Sequence, residues 1–357
     1  MNLPFIKQEK HFSLESLESY DDHKLVASFY SPKTNLKGFV AIHRGGLTRP
    51  AFGATRIWHY DSEEEALQDS LKLSKTMTYK LAMAQLKYGG AKAVIISPNL
   101  KAKEKQILLR SYGNWLNYLA GHLITGADVG IDPKDLEILA SEYKGIVGRT
   151  TDAVKFTSLG VFYSIELTLK ELYGSEDIAG KRFSIQGVGK VGLELLKMLD
   201  SQAEKIYISD IDRGRLNMVR KQFPNVEITS PKEIHKQKVD IFSPCALSNA
   251  INRNNVSSLG CKAIVGSANS QLEGHETGEV LNRIGILYAP DYIVNAGGVI
   301  AVVDEYENPR YSEKRILDKV KNIKETLRVV FAASKSQNKA TNITADEQAE
   351  KVFNKIV

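Results

Sequence analysis

The chain has 357 residues, more than a single hydrophobic core usually serves, so two domains of ordinary size are expected. Apolar residues make up 43% and charged residues 25%, a composition that excludes fibrous and disordered classes. The net charge of +6 is spread along the chain with no basic tract or basic helix, which argues against a nucleic-acid partner. Only Cys245 and Cys261 are present, too few for a disulfide framework or a zinc site built on cysteines, so no metal is expected and a reducing, cytoplasmic setting fits best. Residues 1–15 alternate charges without an apolar core, unlike a signal peptide, and the longest apolar stretch, 292–303, is too short to cross a bilayer.

In chain order, residues 24–30 and 38–43 are short, rich in β-branched and aromatic side chains and bounded by turn residues, which predicts strands. Ser62 with Glu65 forms a capping box, and Ala66, Leu67, Ser70, Leu71, Leu73 and Met77 recur at helical spacing, predicting a helix that ends near Lys80. Gly89-Gly90 launches a buried-type strand over 92–97, and 122–125 runs as a strand into Gly126-Ala127-Asp128-Val129-Gly130. From about Thr157 a helix precedes strands at 182–186, 205–209, 239–243, 263–266 and 285–288 separated by helices or loops, the signature of a parallel sheet with crossovers. A helix over 311–334 and a second capping box at Thr344 and Glu347 close the chain. The expected fold is α/β in two domains: an N-terminal α/β domain over 1–150, completed by C-terminal helices of about 330–357, and a Rossmann domain over 151–329, with the substrate and oligomerisation role of the first and the dinucleotide-binding role of the second resting on the motifs and the resemblance that follow.

Gly187-Val188-Gly189-Lys190-Val191-Gly192 directly follows an apolar strand and opens a helix, the setting in which a glycine pattern carries meaning. Gly187 permits the tight turn, Gly189 lets backbone approach a pyrophosphate, and Gly192 allows the helix to pack close to the strand. The helix N-terminus supplies free N–H groups for phosphate. Asp210 ends the next strand, where a carboxylate accepts hydrogen bonds from the adenosine ribose and repels a ribose phosphate; NAD is therefore favoured, with Arg213 as the residue that keeps NADP open.

A second constellation is Lys80 in Met77-Thr78-Tyr79-Lys80, Lys92 in Gly89-Gly90-Ala91-Lys92, and Asp128. A lone lysine is usually a solvated charge, but both of these adjoin apolar runs, and a desolvated lysine near another cation releases its proton more easily and serves as a base.

With these motifs in the same order as Pro50 to Arg56, Pro244-Cys245-Ala246, Gly266-Ser267-Ala268-Asn269 and Pro290 to Gly298, the sequence resembles the glutamate, leucine, phenylalanine and valine dehydrogenase family over most of its length, with the leucine branch closest. The resemblance implies NAD-dependent, reversible oxidative deamination of an L-amino acid to a 2-oxo acid and ammonia by a homo-oligomer. It implies that Lys80 holds the substrate carboxylate, Lys92 is the base that activates water, and Asp128 moves protons at the substrate nitrogen. Thr157, Asn269 and Asn295 would orient nicotinamide and substrate, Cys245 and Ala246 would lie beside the cofactor, and Phe52, Gly53, Gly126, Val299 and Val302 would line the side-chain pocket. Hydride transfer is expected to require the domains to meet and exclude water.

In glutamate-specific members, the positions of Phe52 and Val302 hold a lysine and a serine that bind the side-chain carboxylate. Apolar residues there disfavour glutamate, since a buried carboxylate without a partner is heavily penalised. Val299 follows the branched-chain pattern, whereas Gly126 resembles the smaller residue that admits an aromatic ring. Leucine, valine or isoleucine is the expected substrate, with phenylalanine or tryptophan as the alternative and a non-catalytic nucleotide-binding paralogue as a third reading. The chain departs from the family at Ala54, where a second glycine is usual, at Ser270, where a second asparagine is common, at Thr76, and in the longer turn Gly45-Gly46-Leu47-Thr48-Arg49.

Overall fold

A computed structural model describes residues 13–45, 49–97, 100–246 and 248–354; most of the long turn, 46–48, lies outside the described residues. Two compact units are present. The first holds the described residues up to Thr78 together with Gly89–Ile146, and the second holds Tyr79–Tyr88 and the residues from Val147 onward.

In the first unit, β1 (Leu25–Ser31), β2 (Leu36–Ile42), β3 (Ala51–Trp58), β4 (Gly89–Ile96) and β5 (Leu123–Ala127) form a sheet in the order β1-β2-β4-β3-β5. The β1/β2 and β2/β4 pairs are antiparallel, whereas β3 runs parallel to both β4 and β5. Alternation along the strands sorts the faces. Ala51, Ala91, Ala93, Ile95 and Leu123 pack with Leu108, Leu109, Tyr112 and Leu116 of α2 (Ala102–Leu116) and Leu136 and Leu139 of α3 (Pro133–Glu142). On the other face, Ala41 packs with Leu67 and Leu71, and Val94 with Ala66, all from α1 (Glu63–Met83).

The sequence reading predicted β1, β2, β4, β5 and α1, but not β3, α2 or α3. Strand β3 is central and flanked on both edges, and its small residues hide the pattern; a Cβ on Gly53 would lie 2.3 Å from the Ala91 carbonyl oxygen. Helix α3 carries a clear start signal, Asp132 accepting from the Lys134 and Asp135 N–H groups ahead of Pro133. At the head of α1, Ser62 accepts the Glu65 N–H at 3.1 Å as expected, while Glu65 turns back to the Asp61 N–H at 2.8 Å.

The second unit opens with α4 (Ala153–Tyr173) and continues β6 (Arg182–Gln186), α5 (Lys190–Asp200), β7 (Lys205–Ser209), α6 (Arg213–Gln222), β8 (Glu227–Ile228), β9 (Val239–Pro244), β10 (Cys261–Ile264), α7 (His275–Arg283) and β11 (Leu287–Tyr288). Its six strands are all parallel, in the order β11-β10-β9-β6-β7-β8. The chain thus winds one way from β6 and the other way from β9, leaving a switch point between their carboxyl ends, the location where open α/β sheets bind ligands. Helices α8 (Asp291–Val294), α9 (Gly297–Glu307), α10 (Glu313–Gln337) and α11 (Thr341–Phe353) follow.

The C-terminal helices, expected to complete the substrate domain, group with the second unit, and Tyr79–Tyr88 groups with them. Thr326 donates to the Met83 carbonyl at 3.3 Å and the Tyr79 hydroxyl to Glu350 at 2.8 Å. The final helix starts one turn earlier than predicted. Thr344 lies inside it, its hydroxyl donating to the Ala340 carbonyl, and Glu347 pairs with Lys339 instead of closing a capping box. No helix among the described residues is long and apolar enough to cross a membrane.

The start of β4 is seated against α1 through Thr78, whose hydroxyl accepts the Gly90 N–H at 2.9 Å and meets His43 Nδ1 at 2.9 Å. A Cβ at Gly90 would stand 2.2 Å from the Thr78 nitrogen and 2.5 Å from the Ser74 oxygen. Gly90→Ala should therefore destabilise the first unit by about 2–3 kcal/mol, seen as a lowered urea midpoint; an unchanged midpoint would contradict this packing.

Candidate functional site

Register places the chemistry of the first unit on one sheet face. Thr55 pairs with Ala93 and Arg56 with Val94, so Lys92 stands opposite Ala54, and Ala54 in turn pairs with Gly126 of β5. Phe52, Ala54, Arg56, Gly90, Lys92 and Gly126 therefore share the face that looks toward α1. Gly53 points the other way, toward the core under α2. Phe52 is fully buried, and Lys92 is buried at 8% exposure.

Lys92 Nζ donates to Asp128 Oδ2. The same oxygen accepts from Arg56 Nε at 3.0 Å. Arg56 Nη1 reaches back to Asp69 Oδ2 of α1 at 2.9 Å, and the Tyr60 hydroxyl donates to that oxygen at 2.6 Å. Two lysine- and arginine-borne charges and two carboxylates thus form one chain across β4, β5, β3 and α1.

Burial pushes the Lys92 ammonium below the ordinary lysine range; Asp128 resists that push and Arg56 adds to it. Burial alone would raise the Asp128 carboxyl, but Lys92 and then Arg56 outweigh it and hold it well below the carboxylate range. Of the pair, Lys92 is the group made easier to deprotonate and Asp128 the group whose charged form is favoured. Burial and the bond to Asp69 push the Tyr60 phenol far up, so it remains a donor.

In the second unit the glycine turn sits at the switch point. Gly187 has φ of +94°, a left-handed conformation that only glycine adopts without strain, and its N–H donates to the Ser209 carbonyl at 2.7 Å. A Cβ on Gly192 would come within 2.0 Å of the Gly187 oxygen, whereas one on Gly189 would meet only Arg215 Nη1, at 4.0 Å. Gly189 is the N-cap of α5 and offers no side-chain acceptor, so the first N–H groups of the helix, from Lys190, Val191 and Gly192, keep their donors for a ligand. Val188 donates its N–H to Asp210 Oδ2 at 2.9 Å. This cradle fits a dinucleotide pyrophosphate. Cys245 and Ala246 abut it from the end of β9: the Cys245 N–H donates to the Gln186 carbonyl at 2.8 Å, and Ala246 Cβ lies 2.6 Å from where a Gly187 Cβ would be. Both cysteines are free thiols.

Asn269 and Asn295 converge beside this turn. Asn295 Nδ2 donates to Asn269 Oδ1 at 2.9 Å and to the Ser267 carbonyl at 3.1 Å, and Lys80 Nζ donates to Asn269 Oδ1 at 3.2 Å. Asn295 Oδ1 is buried and has no hydrogen-bond partner among the described residues, which leaves it open to a donor from a ligand. The next residue, Ser270, adopts φ of +50°, a conformation asparagine tolerates better than serine. Its neighbour Gln271 is held by Asp291, whose Oδ2 accepts the Gln271 N–H at 2.9 Å. The Thr157 hydroxyl donates to the Ala153 carbonyl at 2.8 Å and sits 2.6 Å from a Gly298 Cβ position. On α9, Val299 is buried and Val302 half-buried.

The structure therefore brings Lys92, Asp128, Phe52 and Gly126 onto one sheet of the first unit, and Lys80, Asn269 and Asn295 into one hydrogen-bonded cluster of the second. Sequence reasoning missed Arg56, Asp69 and Tyr60. Arg56 was visible within its motif, yet Asp69 carries no local signal beyond a polar residue within a helix, and Tyr60, in the segment before α1, carries none. It also singled out Arg213, whereas Arg215 is the arginine beside Asp210, at 3.6 Å.

Residues 29–145 match the Glu/Leu/Phe/Val dehydrogenase dimerisation domain, and residues 148–214 and 208–356 match the Glutamate/Leucine/Phenylalanine/Valine dehydrogenase domain. A leucine dehydrogenase of Bacillus cereus is 37% identical over 342 residues, covering 94% of this chain and 92% of its own. A phenylalanine dehydrogenase of Thermoactinomyces intermedius is 38% identical over 339 residues, covering 93% and 91%. The crystal structure of L-tryptophan dehydrogenase from Nostoc punctiforme matches with a TM-score of 0.80 at 38% identity, over 94% of this chain and 96% of that one. With both family domains matched in order and three relatives aligned nearly end to end, the chain belongs to the Glu/Leu/Phe/Val dehydrogenase family of dinucleotide-dependent amino-acid dehydrogenases.

Proposed function

We propose that this enzyme catalyses the NAD-dependent, reversible oxidative deamination of branched-chain L-amino acids to 2-oxo acids and ammonia, as a cytoplasmic homo-oligomer. The observation that carries the chemistry is the buried Lys92–Asp128 pair, a lysine made easier to deprotonate beside a carboxylate kept ionised. Held by the Gly187 to Gly192 turn, NAD would supply the acceptor for the hydride of the substrate Cα. Lys80 holds the α-carboxylate. Asp128 takes a proton from the substrate nitrogen and returns one as ammonia departs, and Lys92 removes a proton from the water that adds to the imino carbon. After passing that proton to solvent, Lys92 takes the proton of the new hydroxyl as the C–N bond breaks, so that the C=O of the 2-oxo acid forms while ammonia leaves.

Side-chain preference follows from the chemistry of residues in each unit taken separately. Phe52 and Val302 offer no charge to a side-chain carboxylate, and Ala54 sets a methyl in register with Gly126, refilling part of the space that the glycine opens. That favours leucine, valine or isoleucine. The aromatic alternative draws on Gly126 and on relatives named for phenylalanine and tryptophan at identities of 38%. A panel of leucine, valine, isoleucine, phenylalanine and tryptophan followed at the NADH absorbance decides: the aliphatic substrates should lead in kcat/KM, and an aromatic lead would overturn the assignment. Neighbouring aliphatic substrates should differ by only about 10–200-fold, the discrimination one methylene allows.

For the cofactor, Asp210 is fixed at the end of β7 by the Val188 and Asp212 N–H groups, each at 2.9 Å. Its charge opposes a ribose phosphate. The kcat/KM with NAD should exceed that with NADP by about 100-fold or more, the factor that about 2.7 kcal/mol supplies; equal use of both would contradict the role of Asp210. Lys92→Ala should lower kcat by about 10²–10⁴-fold while fluorescence titration shows NADH still binding. Near-normal kcat in that variant would remove Lys92 from the mechanism.

A further inference from the structure

Arg56 belongs to no role described above, yet it is the link between the reactive pair and the rest of the first unit. Its Nε donates to Asp128 Oδ2 at 3.0 Å while Nη1 donates to Asp69 Oδ2 at 2.9 Å, so one planar guanidinium is clamped between two carboxylates. Tyr60 holds Asp69 from the other side at 2.6 Å. Side-chain exposure is 22% for Arg56 and about the same for Asp69 and Asp128, at 23% and 21%. Water therefore screens these contacts only in part.

We propose that Arg56 is a positioning residue: bridging Asp128 and Asp69, it fixes the carboxylate that Lys92 faces and sets the pH at which Lys92 changes from acid to base. This rests on the reading of Lys92 and Asp128 as the proton-transfer pair. Two geometric facts support it. Lys92 and Arg56 both address Oδ2, so one carboxylate oxygen of Asp128 is fixed by two cationic donors from different strands. And the orientation is referred, through Asp69, to a 21-residue helix, not to a loop.

The charged and titratable groups facing Lys92 are Asp128 from the end of β5, Arg56 from β3 and Asp69 from α1, with Tyr60, from the segment before α1, on Asp69. Strand β2 places only Ala41 opposite Lys92. Of these, Arg56 is the single cation, and its removal leaves two carboxylates near the ammonium. Lys92 would then hold its proton more tightly.

Full-length Arg56→Gln, Arg56→Lys and Asp69→Asn test this. Competitive acetylation with acetic anhydride across pH, read at Lys92 by mass spectrometry, reports the proton affinity of that amine without turnover. In Arg56→Gln the labelling midpoint should rise by about one pH unit or more, the size of shift a neighbouring charge produces, and the acid limb of kcat/KM for deamination should rise with it. Arg56→Lys keeps the charge but not the fork. It should restore the midpoint while kcat falls about tenfold with little change in KM, because one ammonium cannot hold both carboxylates. Asp69→Asn should likewise lower kcat more than it raises KM.

A folded Arg56→Gln whose labelling midpoint and pH limb match the parent overturns the proposal, as does lost activity without a pH shift, which is the mark of a purely structural arginine. If Arg56→Gln fails to fold, normal kcat in both Arg56→Lys and Asp69→Asn overturns it. Should Lys92→Ala retain turnover, the proton-transfer reading fails instead, and the labelling comparison still reports whether Arg56 governs the Lys92 amine.

Discussion

The first unit is organised around an ammonium held inside a sheet. Lys92 occupies a strand position whose neighbours in both directions are buried, and its own side chain keeps only 10% of its surface exposed. A buried charge is tolerated only with a partner, and the partner is Asp128 from the adjacent layer of strand ends. Surface pairs such as Lys197 with Glu194 are of another kind: screened, entropically costly and worth little. The Lys92 pair is better regarded as a constraint on reactivity than as a source of stability.

That constraint explains why the surrounding strands are built from small residues. Gly53, Ala54, Ala91 and Gly126 bring three parallel backbones together so closely that a Cβ on Gly53 would strike Ala91. The opposite face, with Thr55 bonded to Tyr112 and Thr125 at 2.9 Å each, anchors the same strands to the core under α2. Preorganisation of this kind supplies much of the catalytic benefit of fixed charges.

The parts legible in the sequence are those governed by local rules. Apolar runs bounded by turns gave away most strands, the Gly187 to Gly192 turn stood between a strand and a helix, and Lys92 and Asp128 were marked by glycine-bearing flanks. What escaped reading was set by tertiary placement. Strand β3 lacks alternation because it is covered on both faces; Arg56, Asp69 and Tyr60 meet only when β3 and α1 are stacked; and the last helix begins at Thr341 because that hydroxyl is used by the Tyr288 carbonyl, at 2.6 Å, not by a cap. Lys80 was read with the first domain from its place in α1, yet the last turn of that helix groups with the C-terminal helices through Tyr79 and Met83.

The unmatched carbonyl oxygen of Asn295 has a thermodynamic meaning beyond orientation. An interior acceptor left without a donor costs about 1–3 kcal/mol, and no polypeptide donor among the described residues meets this one. Any small molecule that brings an N–H or O–H to this amide cancels the deficit, so its association energy and the heat resistance of the fold are linked quantities. The bare protein is accordingly a slightly frustrated host, and its resilience inside a cell varies with how much of its dinucleotide and amino acid surrounds it.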